Sequence, residues 1–275
     1  MTEGRAEIGF GQSGGRTRLA HLYQRDPLCV LFPTPAAGDP AIAVIVTTSG
    51  GLVARDRLDI SVALAPGAAA HVTASAAEKV YRSTRSTTTI AQGLSVGAGA
   101  SLEFLPPETI LFDGARLLRE TVAELAPDGA FLGGDIVAFG RRARGECFTY
   151  GFLREVWKVR RAGELVWGDA LHLEGDIAHE IDDPACFDGS AAFATMILSP
   201  AGRDPRSLLD AARAVQRIAA STALRAGLTA VAGPVIARWL AADAASLRGA
   251  YAELASHFRC EALGLPRRVP RLWYV

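Results

Sequence analysis

In LDISVAL, every second residue from Leu58 to Leu64 is apolar, and the recurrence of that pattern restricts the fold of this chain more than any other feature. Strand side chains alternate faces with period two, so Leu58, Ile60, Val62 and Leu64 cover one face of a half-buried strand. SLEFL repeats the alternation through Leu102 and Phe104, and CFTYGF through Phe148, Tyr150 and Phe152. IAVIVT at 42–47 is instead a continuous apolar run, as in a strand covered on both faces. From about Arg16 to Leu198, stretches rich in Val, Ile, Thr and Phe are separated by Gly, Pro and Asp, which predicts a mainly β body over about 16–200. Gly67, Gly99 and Gly129 follow one another at intervals of 32 and 30 residues, each in a small-residue turn leading into a strand. A period of that length predicts an elongated stack of short strands whose units share a core.

The texture changes in the last third, about 204–275. Asp204 before Pro205 is a helix N-cap followed by a residue suited to the first turn. Leu208, Ala212, Val215 and Ala219 then draw one apolar stripe at helical spacing. A second helix is expected from Asp243, with Leu247, Tyr251, Leu254 and Phe258 on one side, stopped by Gly264 and Pro266. Between the helices, GLTAVAGPVIARWLAA predicts two strands around Gly233 and Pro234. The two C-terminal helices pack on the β body or form a separate domain; the single-domain reading, 1–275, is preferred.

Charge and composition remove several functions. Lys plus Arg equals Asp plus Glu at 29 each, so there is no basic excess to hold nucleic acid or an anionic membrane. No run approaches the roughly 18 apolar residues that span a bilayer, and the first residues lack a signal-peptide pattern. The chain therefore reads as cytoplasmic. Cys29, Cys147, Cys186 and Cys260 are scattered without a CxxC pair, which predicts buried small hydrophobes and neither zinc nor a disulfide framework. P-loop and HExxH patterns are absent, and the glycines of GLVARDRL and FLGGDIV lack the GxGxxG spacing, so no nucleotide or metal-hydrolase chemistry is expected.

One segment offers metal ligands, HLEGDIAHEIDDPAC at 172–186. If 172–176 is extended, His172, Glu174 and Asp176 share a face, and imidazole with carboxylate suits Ni²⁺ or Zn²⁺. The alternative is the solvated face of an edge strand running into an acidic loop. Carboxylates also lie among the apolar strands: Asp56, Glu78, Glu103, Glu108, Asp113, Asp135 and Glu146. Arg55, Arg57, Arg82, Arg85 and Arg116 are available to pair with them.

Five ordered stretches resemble a known family. TTSGGLVARDRLDI, SAAEKVYRS, LEFLPPETILFDGA, FGRRARGE and the terminal PRRVPRLWYV are similar to the signature stretches of urease accessory protein D, the UreD/UreH family. The departures are Ala54 and Arg55 in place of a Gly-Gly pair, Ala74 and Ser75 in place of Thr-Gln, and Phe104 and Pro107 in place of Trp and Gln. The resemblance implies stacked strands with a few C-terminal helices, and work alongside accessory protein F and the GTPase accessory protein G on apo-urease. It implies no catalysis and no tightly bound cofactor, only nickel in transit. An ion in transit needs weak oxygen ligands, and Asp56, Glu78, Glu108, Asp135 and Glu146, in or near the matching stretches, are the candidates. The alternatives are a β-structured hydrolase with two acidic residues and a metal-independent interaction module.

Overall fold

The computed structural model describes residues 2–219 and 224–274. The chain enters through β1 (Glu3–Ser13), β2 (Arg16–Arg25), β3 (Leu28–Leu31) and β4 (Ala41–Thr47). It continues through β5 (Arg57–Leu64), β6 (Ala69–Ala74), β7 (Glu78–Val80), β8 (Thr88–Val96), β9 (Ser101–Phe104) and β10 (Thr109–Leu111). Three longer pairs of elements follow: β11 (Arg116–Leu125) with β12 (Ala130–Phe139), β13 (Tyr150–Arg161) with β14 (Glu164–Asp176), and helix α1 (Ile177–Asp182) with β15 (Ala192–Ser199). Last come α2 (Pro205–Ala219), β16 (Leu224–Ala230), β17 (Val235–Ala241) and α3 (Ala244–Leu263).

Successive strands alternate between two sheets. The first sheet runs β14, β13, β11, β8, β5, β1, β2, and its five middle strands are parallel. The second runs β16, β17, β15, β12, β9, β6, β4, β3, with β10 and β7 branching from β12. Three turns carry the chain from first sheet to second and stack through backbone bonds, Ser101 N to Ala68 O at 2.9 Å and Ala130 N to Ala100 O at 2.8 Å. The mainly β, solenoid-like stack expected from the repeat is therefore present. Gly67 and Gly99 take positive φ, 72° and 61°, at the same place in their turns. In the third turn Asp128 takes that place, and Gly129 stands one residue later. A Cβ on Gly129 would lie 3.2 Å from Val96 Cγ1, so this glycine serves close packing instead.

The core has two layers. Inward-facing residues of both sheets, Ile8, Leu58, Leu94, Leu117 and Leu153 among them, fill the space between the sheets. A second cluster joins the outer face of the second sheet to the helices through Met196, Trp239, Leu247 and Tyr251. Each such side chain withdraws apolar surface worth about 1.5–3 kcal/mol. The helix ends follow the sequence: Asp243 accepts from Ser246 N at 2.7 Å, and Gly264 ends α3 at φ 66°. Leu208 and Ala212 of the α2 stripe are buried, and the side chain of Ala219 lies outside the described residues. The terminal stretch returns to the core, where Trp273 stacks on Tyr251 and donates to the Leu105 carbonyl at 3.2 Å.

Several expectations need correcting. The first strand begins at Glu3, ahead of Arg16, whereas the two strands expected between the C-terminal helices are present as β16 and β17. None of the four cysteines is buried; Cys186 and Cys260 are exposed, at a helix-to-strand loop and on α3. In β13 the aromatic alternation marks the outer face, with Tyr150 exposed and Arg116 stacked over Phe152. The inner face carries Leu153, Glu155, Trp157 and Val159. Helix α1 was not expected. Among the described residues no helix is long and apolar enough to cross a membrane.

Candidate functional site

Two of the matching stretches lie side by side. Parallel pairing sets Glu78 of β7 against Thr109 of β10, and Thr109 against Val137 of β12. Leu52, from the GGLV stretch, bridges Val80 on the other side. Across the core, β11 presents Arg119 in phase with buried Leu117, Thr121 and Ala123, and β13 presents Glu155. Arg119 and Glu155 are register partners.

These strands enclose a polar seam between the sheets. Arg119 Nε donates to Glu155 Oε1 at 2.5 Å and Nη1 donates to Thr109 Oγ1 at 2.7 Å. Asp135 of β12 lies 3.8 Å from the same guanidinium and accepts from Trp157 Nε1 at 2.5 Å. Burial pushes the Glu155 carboxyl up to about 8; Arg119 works against that rise, and the neighbouring Asp135 charge adds to it. Burial opposes the Arg119 charge, and Glu155 and Asp135 more than offset it. Glu78 stands nearer the surface and accepts from Thr47 Oγ1 at 2.6 Å and from Lys79 N at 3.1 Å. Burial raises its carboxyl too, countered first by the Thr47 hydrogen bond.

A cavity of about 50 Å³ runs from Glu78 and Thr47 to Thr109 and Arg119. A surface hollow of about 110 Å³, beside Gly50, Ser75 and Lys79, shares Thr47 and Glu78 with it. Glu78 thus faces both the outside and the seam. With Glu78, Asp135, Glu155 and the Thr47 and Thr109 hydroxyls gathered about one guanidinium, the seam is lined mainly by oxygen.

The remaining candidates do not join this seam. Glu108 is adjacent through its backbone, accepting from Glu78 N at 3.0 Å, while its carboxylate lies 3.7 Å from Arg248 of α3. Asp56 is buried and holds a turn, accepting from Thr2 N at 2.8 Å and Val53 N at 3.0 Å. Glu146 pairs with Arg141 at 2.6 Å in the loop after β12. His172 and Glu174 do share a solvated face of the edge strand β14, 3.6 Å apart, with Glu174 also 3.3 Å from Arg116. Asp176 caps α1 through His179 N at 3.3 Å. Among the described residues no three His, Cys, Asp or Glu side chains converge as a metal-holding group.

Arg119 and Glu155 are not among the sequence candidates, because both stand in mid-strand, away from the turns and strand ends. Their signal is a charge in the buried phase of an alternating strand, as in RLLRETVA and LREVWKV. Glu103, in the phase opposite to Leu102 and Phe104, lies in a second buried network on the far side of the second sheet. There His71 Nδ1 lies 3.4 Å from Glu103, Arg259 of α3 lies 3.2 Å from it, and Arg259 also reaches Asp39 at 2.8 Å.

The family model described as UreD urease accessory protein matches residues 2–274. The chain belongs to the UreD urease accessory protein family. It is 44% identical over 275 residues to urease accessory protein UreD of Magnetococcus marinus, covering 98% of this chain and 93% of that one. The corresponding protein of a Methylobacterium species is 40% identical, with 99% and 94% covered. That of Azorhizobium caulinodans is 37% identical, with 98% and 95% covered. In this UreD-family chain Arg55 takes φ 69°, so an arginine bears the left-handed position of this turn. Phe104 is buried in the core and Pro107 lines the cavity.

Proposed function

We propose that this chain is a non-catalytic urease maturation factor that works in the cytoplasm with accessory proteins F and G on apo-urease, and that nickel passes along its inter-sheet seam. Membership of the UreD family supports the maturation role. The transit step rests on one observation: Glu78 lines both the surface hollow and the cavity that leads to Arg119. An ion that leaves water needs replacement oxygen ligands at intervals, each weak enough to release it. Glu78, the Thr47 and Thr109 hydroxyls, and the Glu155–Asp135 pair supply such oxygens in order of depth. Arg119 supports this reading too, because a fixed positive charge beside the carboxylates weakens cation retention and suits passage over storage. No tightly bound cofactor is required.

The hydrolase alternative fares worse. Glu155 and Asp135 are both buried against the Arg119 guanidinium, whereas paired acids in a glycosidase flank a substrate across roughly 5–10 Å. The test is urease maturation with Glu78→Gln and Glu155→Gln chains, accessory proteins F and G present. The expected result is urease poor in nickel although the variants still co-purify with both partners. Full nickel content with both variants would overturn transit through the seam and leave the scaffold role.

A further inference from the structure

Strand β2 ends the first sheet and is exposed along nearly all its length. Its pairing with β1 assigns each side chain to a face. Leu19 sits opposite Phe10 and Leu22 opposite Ile8, so both leucines belong to the core phase. The second sheet stops short of them at β3, and Leu19, Leu22, Leu31 and Phe32 remain 38–54% exposed. The outer phase carries Arg16, Arg18, His21, Tyr23 and Arg25. Arg25 is matched by Glu3 and His21 by Glu7, but Arg16 and Arg18 make no ion pair among the described residues. One strand thus presents a free backbone edge, an uncovered apolar face and a basic face.

We propose that the β2 edge is a docking site for an extended, acidic segment of a partner protein that adds as a further strand. Backbone groups along the edge supply the hydrogen bonds, and alternate side chains supply selectivity. Because faces alternate, the segment has acidic residues at every second place toward Arg16 and Arg18, and apolar residues between them toward Leu19, Leu22 and Phe32. A second copy of this chain is a poor occupant. Antiparallel self-pairing centred between Ala20 and His21 sets Arg16 opposite Arg25 and brings two basic faces together. This surface lies outside the proposed nickel seam, and the inference does not rest on it.

The test uses the full chain and a synthetic nine-residue peptide alternating Glu with Val or Leu, beside a scrambled peptide of equal composition. The expected result is binding of the alternating peptide that weakens with salt, with slowed amide exchange confined to β2 and β3. It is at least about tenfold tighter than the scrambled peptide and weakens about tenfold in the Arg16→Glu/Arg18→Glu chain, whose exposed positions leave the fold intact. A peptide with proline at its central position should not bind, because it cannot complete the ladder. Equal binding of alternating and scrambled peptides, protection elsewhere than β2 and β3, or self-association that buries β2 without peptide would each overturn the proposal.

Discussion

Arg119 and Glu155 face each other as register partners on adjacent parallel strands, so the ladder itself presses the guanidinium against the carboxylate, Nε to Oε1 at 2.5 Å. Both are buried; Asp135 and the more distant Glu78 join Glu155 in balancing the guanidinium, which also donates to Thr109, whereas Glu155 is balanced by Arg119. The pair couples the proposed ion path to the stability of the stack.

That coupling has a pH signature. Glu155 loses its proton near 4.5 in the unfolded chain and near 8 in the folded one, so folding takes up a proton between those values. The contribution to stability is full below about 4.5 and is lost as pH rises through about 8. Glu155→Gln removes this dependence. Melting temperatures measured from pH 5 to 9 should show the parent falling relative to the variant as pH rises; parallel curves would contradict the shift.

Asp135 balances Arg119 and receives the Trp157 indole N–H. Asp135→Leu leaves the buried indole N–H without an acceptor and takes one acid from beside Arg119, which keeps Glu155 and Thr109, at a cost of about 1–3 kcal/mol. Asp135→Asn keeps an acceptor for the indole and should cost less. Urea denaturation of the two variants checks the order.

Arg259 holds α3 to the strands by facing Glu103 and Asp39 inside the protein. Arg259→Ala strands the buried Glu103 carboxylate and leaves Asp39 with Arg268 alone, at 3.3 Å, with an expected loss of about 3–5 kcal/mol. Limited proteolysis should then cut first around the C-terminal helix, while the inter-sheet seam on the other face of the sheet keeps its geometry.

Asp56 and Glu146 separate structural acids from path acids. Asp56→Ala leaves the Thr2 and Val53 amides without their acceptor, costing about 1–3 kcal/mol. Glu146→Ala breaks a solvent-facing pair with Arg141 and should leave the melting temperature unchanged. Neither should lower the nickel delivered per folded molecule, measured by metal analysis of matured urease.

Arg55 occupies a left-handed turn position that a glycine takes without penalty. Arg55→Gly should raise stability by up to about 1 kcal/mol, less the added entropy of the unfolded chain. Thermal unfolding under matched conditions measures the difference.

Much of the fold was legible in the sequence. Period-two alternation located β5 and β9, the continuous run located β4, and Asp243 with Gly264 bounded α3. Strand phase failed at β13, because Gly151 takes φ 142° at its start and the flanking aromatics Tyr150 and Phe152 turn outward. For the site, Glu78 and Asp135 were found and Arg119 and Glu155 were not. Asp56 and Glu146 looked equivalent to them from their surroundings in the chain.

The sequence by itself determined the local choices: strand or helix, turn or cap, which face of most strands is apolar, and family. Those choices depend on neighbours within a few residues, where backbone sterics and hydrophobic period act. Only the tertiary structure decided which acids meet. Glu78, Asp135 and Glu155 come from strands in both sheets, and the register of the parallel ladders together with the packing of one sheet on the other brings them around Arg119. A carboxylate becomes part of that seam by being buried beside a charge distant in sequence, and the stretch around it carries no record of that partner.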